Sequence, residues 1–370
     1  MMQTTNSSYL YGVDTHHGLG NKTFFTYFAE FNRPWHGIVY VEATFLVTLF
    51  LISLAGNVVI IFKVIKDKRS RNITDYFVCN LALADVMYTL GGPFIAVVRI
   101  TETWKLGEFI CHILAFMECL SAFGMVWTMA AISIDRYICI NLNMASSKRI
   151  RPRSVAIISV VIWIFVGALF IPVAVFFLVV DAKLGDSHVK ICTLVWPYLD
   201  SLPIGRLYVW ITFVLGFILP FTIIVANYTR IFKKFWLSSR AVANAQIREV
   251  RTGSMSQKTR ILNRKNLKTV KMLVLLVILF ILMWLPTFAM FLAITHDYDS
   301  NRMVLPSSAM ILVILLGFIN ACINPFLYGL IHNRFQGGTS VCRYCCHSRP
   351  SMERACSRSK ERIWTVRQET

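Results

Sequence analysis

VAIISVVIWIFVGALFIPVAVFFLVV, running from Val155 to Val180, contains no charged side chain. A helix crosses the hydrocarbon layer of a bilayer in about 20 residues, so this stretch alone is long enough to span one. Six further apolar blocks of similar length stand at roughly 41–63, 76–98, 111–134, 207–229, 272–294 and 303–331. Lipid offers no hydrogen bonds to an open backbone, so each block must satisfy its own amides, as a helix does. The blocks are continuous rather than alternating every second residue, which excludes a membrane β-barrel. The expected fold is all-α: an integral membrane bundle of seven transmembrane helices. Only 15% of the chain is charged, against about 25% in soluble domains.

A net charge of +19 invites a nucleic-acid reading, but the charges are placed otherwise. With seven spans the loops alternate sides. One side collects 29 Lys and Arg and the other eight. Positive loops stay cytoplasmic, so the N-terminus is expected outside and the C-terminus inside. The chain then divides into an extracellular arm (1–37), a seven-helix domain (38–332) and a cytoplasmic tail (333–370). The arm shows no basic segment followed by a short apolar core, so no cleavable signal peptide is expected. It carries two glycosylation sequons, at Asn6 and Asn21. Matching triplets at Asn72 and Asn227 fall at the opposite boundary and are read as chance.

Buried polar residues mark function in a membrane protein. The second block carries Asp85, the first Gly56-Asn57, and the seventh Asn320 and Asn324-Pro325-Phe326-Leu327-Tyr328. Such groups need one another, so Asn57, Asp85 and Asn324 are expected in one network. The third block ends in Asp135-Arg136-Tyr137, and the sixth contains Phe280-Ile281-Leu282-Met283-Trp284-Leu285-Pro286.

Together with Trp163, and Pro220 with Tyr228, these motifs occur in an order that resembles the rhodopsin-like, or class A, G-protein-coupled receptors over residues 40–345. The resemblance implies a receptor for an extracellular ligand that activates a heterotrimeric G protein, with arrestin and receptor kinases as further partners. It needs no cofactor. Pro286 would kink the sixth helix, and Trp284 would feel the ligand from above. Arg136 would leave Asp135 for the G protein, and Tyr228 and Tyr328 would brace the open state. Cys111 and Cys192 would form a disulfide on the oxidising exterior. In the tail, Cys342, Cys345 and Cys346 lie beside basic residues and suit palmitate better than metal, since no second ligand cluster follows. A short amphipathic helix would lie there on the inner leaflet.

Two departures stand out. Many members place an acid at the cytoplasmic start of the sixth helix; here the stretch reads Arg264-Lys265-Asn266-Leu267-Lys268. Of the family's buried sodium site, Asp85, Ser121, Asn320 and Asn324 remain, but Met125 replaces a common hydroxyl. Any sodium site at Asp85 is therefore partial.

Two ionisable residues lie near the outer end. Arg99 is 14 residues beyond Asp85, about 21 Å above it at about 1.5 Å per residue. Glu118 is 18 residues before Arg136, about 27 Å above it. Val98-Arg99-Ile100-Thr101-Glu102-Thr103-Trp104 and Ile191-Cys192-Thr193-Leu194-Val195-Trp196-Pro197 resemble the receptors for long-chain free fatty acids. That resemblance implies Arg99 as a carboxylate anchor, with Trp104, Phe116, Trp210, Trp284, Phe288 and Phe318 in an apolar slot and Thr212 beside it. Glu118 is foreign to that group. It opens the alternative of a neuropeptide whose cationic group pairs with it. Biogenic amines fit less well, because the fifth helix offers only Thr212. Retinal is excluded, because 303–331 holds no Lys for a Schiff base. Seven unrepeated spans argue against a transporter, and no catalytic motif suggests an enzyme.

Overall fold

The computed structural model describes residues 37–66, 73–101, 103–141, 152–184, 187–196, 204–248, 274–275, 277–293 and 307–331. Among them are seven helices. The first four are α1 (Ile38–Lys66), α2 (Ile73–Thr101, interrupted at Leu90), α3 (Gly107–Asn141) and α4 (Pro152–Phe176). Helix α5 runs from Ile204–Phe213 through a π-helical turn, Val214–Ile218, into Leu219–Arg248. Helices α6 (Val277–Ala293) and α7 (Ser307–Ile331) complete the set. Helices α1 to α5 each contain a stretch long and apolar enough to cross a membrane; the apolar helical stretches of α6 and α7 are shorter among the described residues. Met1–Leu327 form one unit, and a second begins at Tyr328. Asn6, Asn21, Arg264 to Lys268, the expected amphipathic helix and Cys342, Cys345 and Cys346 lie outside the described residues.

The burial pattern is that of a protein in lipid. Ile157, Val160, Val161, Ile164, Ile171 and Val175 of α4 are exposed, whereas Ser53, Asn57, Asp85, Thr89 and Asn324 are buried. Polar side chains at membrane depth face the bundle interior because hydrocarbon cannot hydrogen-bond them. Helix α3 is central, packed on α2, α4 and α5. Asn80 of α2 donates to Thr128 of α3 (2.8 Å) and accepts from the Trp163 indole of α4 (2.8 Å). Asn227 of α5 is buried and donates to Ser133 of α3 (3.0 Å), so its sequon is sealed from any glycan.

One expectation needs correction. The uncharged run to Val180 does not stay helical. The chain leaves α4 at Phe176, and Phe177–Leu184 becomes strand β1, antiparallel to β2 (Ser187–Leu194). Short apolar β-branched and aromatic runs do not distinguish helix from strand by pattern, and here cross-strand pairing decides. The hairpin is fastened to the start of α3 by the Cys111–Cys192 disulfide.

Candidate ligand cavity and coupling end

Beneath the hairpin lies a cavity with about 950 Å³ of free space, its opening to solvent included. Helix α3 lines it with Ala115, Glu118, Cys119, Ala122 and Phe123, and α6 with Trp284, Thr287, Phe288 and Phe291. Spacings of three and four residues put each set on one helix face. Tyr88, Phe170, Tyr208, Thr212, Phe213 and Trp196 fill in between, and Phe177 and Leu194 of the hairpin form the roof. Rings dominate the lower wall: Trp284 stacks on Phe280 (centroids 5.7 Å apart) and meets Tyr88 edge-on (5.4 Å).

Among the described residues Glu118 is the one carboxylate on this wall, and no Lys, Arg or His lines it. Its side chain is only 6% exposed, and its Oε1 has no hydrogen-bond partner among the described residues. That oxygen fits against Gly91 of α2, where even a Cβ would come within 2.7 Å. A buried carboxyl oxygen without a partner is unfavourable.

Below the cavity, Asn324 donates to both oxygens of Asp85 (3.0 and 2.9 Å). Asn57 donates to the Ser53 hydroxyl (3.1 Å) and the Ala321 carbonyl (3.2 Å). The Ser53 and Thr89 hydroxyls lie 3.4 Å apart, and Thr89 donates to the Asp85 carbonyl (2.9 Å). The three expected polar residues therefore join one chain, with Ser53 and Thr89 as links. Around the expected partial sodium site at Asp85, Ser121 is turned to its own helix carbonyls, Asn320 donates to Met283 sulfur, and Met125 brings a buried thioether. The buried amide oxygens of Asn57, Asn320 and Asn324 have no hydrogen-bond partner among the described residues.

At the far end of α3, Arg136 donates through Nε to Asp135 (2.9 Å) and through Nη2 to Asp135 and to Thr74 of α2 (2.6 Å). Arg230 of α5 lies over the Tyr137 ring, 5.7 Å from its centroid. Tyr228 is buried beside this end of the bundle.

The family description "7 transmembrane receptor (rhodopsin family)" matches residues 56–328. The chain belongs to the rhodopsin family of seven-transmembrane receptors. Rhodopsin-family receptors take an extracellular ligand and couple to G proteins; they are not enzymes. Among relatives, free fatty acid receptor 4 of Rattus norvegicus is 30% identical, over 84% of either chain. Somatostatin receptor type 5 of Bos taurus is 28% identical, over 77% of this receptor and 71% of the relative. Somatostatin receptor type 2 of Sus scrofa is 27% identical over a similar span.

The receptor's structure redistributes the ligand residues expected from sequence. Glu118, Thr212, Trp284 and Phe288 line the cavity; Arg99, Trp104, Phe116 and Phe318 do not. Arg99 is 1% exposed and gives Nε and Nη2 to Glu42 of α1 (3.0 and 2.8 Å). The expected carboxylate anchor is thus already holding a carboxylate. Trp104 is buried beneath the hairpin, its backbone amide on Lys190 and its indole on the Gly107 carbonyl (2.8 Å). Phe318 is fully buried between Tyr88 and Gly92, and Phe116 falls off the lining stripe of α3. Trp210 is 55% exposed, on the outer surface of α5. Sequence reasoning missed Tyr88, Phe123, Tyr208, Thr74 and Glu42. Glu42 left a signal, being the one charged residue between positions 38 and 62.

Proposed function

We propose that this receptor recognises an extracellular ligand carrying a cationic group on an apolar body, a neuropeptide being the fitting class. The cation would meet Glu118 and the apolar part the aromatic wall. The observation that carries this reading is the buried oxygen of Glu118, which among the described residues has no hydrogen-bond partner and shares the cavity with no basic residue. Kinship with receptors named for somatostatin supports it. A second reading is a long-chain fatty acid held by Arg99, favoured by the kinship with free fatty acid receptor 4. It requires Glu42 to give up Arg99.

In this reading the hairpin end and the arm face outward, and the basic end faces the cytoplasm. Pressure on Trp284 passes to Phe280 and α6, where Pro286 leaves one carbonyl without its helical donor and permits a bend. Asn324 and Pro325, in α7, would adjust with it. Arg136 then exchanges Asp135 and Thr74 for the G protein, with Tyr137 and Tyr228 beside it. Arrestin and receptor kinases would follow at the same face.

The test expresses the full chain with a promiscuous G protein and compares basic neuropeptides with long-chain fatty acids. Truncating one partner of a buried charge pair costs about 2–5 kcal/mol, or roughly 30-fold and more in potency. Glu118→Gln should lose that much response to the active peptide at unchanged surface display. A fatty-acid response that survives Glu118→Gln and vanishes in a well-displayed Arg99→Gln would replace this reading with the second.

A further inference from the structure

We propose that Phe123, seated in a notch left by Gly216, is the stop that sets how long an apolar tail the cavity accepts. The inference rests on this cavity being the ligand site, as proposed above, but not on what Glu118 binds. On α3 the lining residues end at Phe123; the next inward side chains, Met125 and Val126, are 0% and 2% exposed. The floor is therefore Phe123 with Trp284, Tyr88 and Phe213. A Cβ built on Gly216 would fall 1.6 Å from Phe123 Cε1, so the ring fills the space that any other residue would claim. Gly216 sits in the π-helical turn of α5, a local distortion often found at functional sites. On its other sides the ring meets Phe170 (4.4 Å) and Phe288 (5.9 Å), both edge-on and both cavity residues. Phe123 thus closes a niche between α3, α4 and α5 that would otherwise continue the cavity.

Two substitutions move the stop in opposite directions. Phe123→Ala opens the niche to a tail. Gly216→Ala drives the ring off α5 and into the cavity. The experiment measures stabilisation of the solubilised full chain, as the rise in melting temperature, by saturated n-alkylamines and n-alkylcarboxylates of stepped length. Each methylene that stays buried is worth about fourfold in affinity, so a two-carbon shift in the preferred length is about 16-fold at the longer member. The expected result is a preferred length that rises in Phe123→Ala and falls in Gly216→Ala. The double variant should follow Phe123→Ala, because no ring remains to displace. Equal preferred lengths in wild type and both single variants, each folded by its melting transition, would overturn the proposal. So would a wild-type chain that no alkyl tail of either head group stabilises. Failure of the Glu118 reading looks different: amines bind no better than carboxylates at any length, while the preferred lengths still shift.

Discussion

Removing Arg99 leaves Glu42 inside the bundle without its guanidinium. Breaking one side of a buried pair costs about 3–5 kcal/mol, whereas replacing both sides with well-packed apolar residues is often neutral. Arg99→Ala should therefore lower melting temperature and surface display sharply, and Glu42→Leu with Arg99→Met should recover most of both. A single variant as stable as wild type would show that the pair is not structural. Asn324→Ala should act similarly, costing about 1–3 kcal/mol, because both Asp85 oxygens lose their donor. These two pairs differ in how far the sequence betrays them. Asp85 and Asn324 are far apart in the chain, yet each is a mid-membrane polar group in a recognisable motif, and each needs the other. Arg99 was equally conspicuous, but nothing in spacing chooses among Glu42, Glu118 and a ligand. Only the packing of α1 on α2 brings Glu42 within 2.8 Å. Glu118 was legible as a candidate because an acid at that depth on α3 is an anomaly; its notch at Gly91 was not.

The helices were readable as elements because their lengths answer to one quantity, the thickness of hydrocarbon. Their ends were less so. The reading carried the fourth span four residues into β1, since FLVV suits either backbone, and it gave no sign of the π-turn in α5. The hairpin belongs to the tertiary structure: its strands pair with one another, and Cys192 ties them to α3. Because Phe177 and Leu194 roof the cavity, untying the hairpin should weaken ligand binding before it harms the bundle. Cys111→Ser, Cys192→Ser and the double variant should lose potency to the same degree. A loss of only about 1.4 kcal/mol in binding would already be tenfold. Concentration–response curves on displayed receptor would measure it. A double variant markedly weaker than either single would mean that the two sulfurs act separately rather than through one bond.

For the molecule as a whole, the proposed mechanism makes signalling a balance between a state that hides Arg136 and one that offers it. The sequence supplies no acid in Arg264 to Lys268, and among the described residues the hydrogen bonds of the Arg136 side chain go to α2 and α3. The structure supplies two such holds, Asp135 and the Thr74 hydroxyl. Neither ties α6 to α3, so neither directly opposes outward movement of α6. Ligand-independent signalling should therefore be appreciable. A hydrogen bond to a charged group is worth about 1.5–3 kcal/mol, so Thr74→Ala should raise the basal population of the active state by about tenfold or more where that state is rare. Asn266→Glu, which puts an acid into that basic stretch, should lower it. The measurement is G-protein activation at matched surface display, without added ligand and against an empty-vector control. Wild-type activity no higher than that control would show that the α2–α3 holds suffice by themselves. If Asn266→Glu then changed nothing either, the closed state would have to be governed from somewhere other than the arginine.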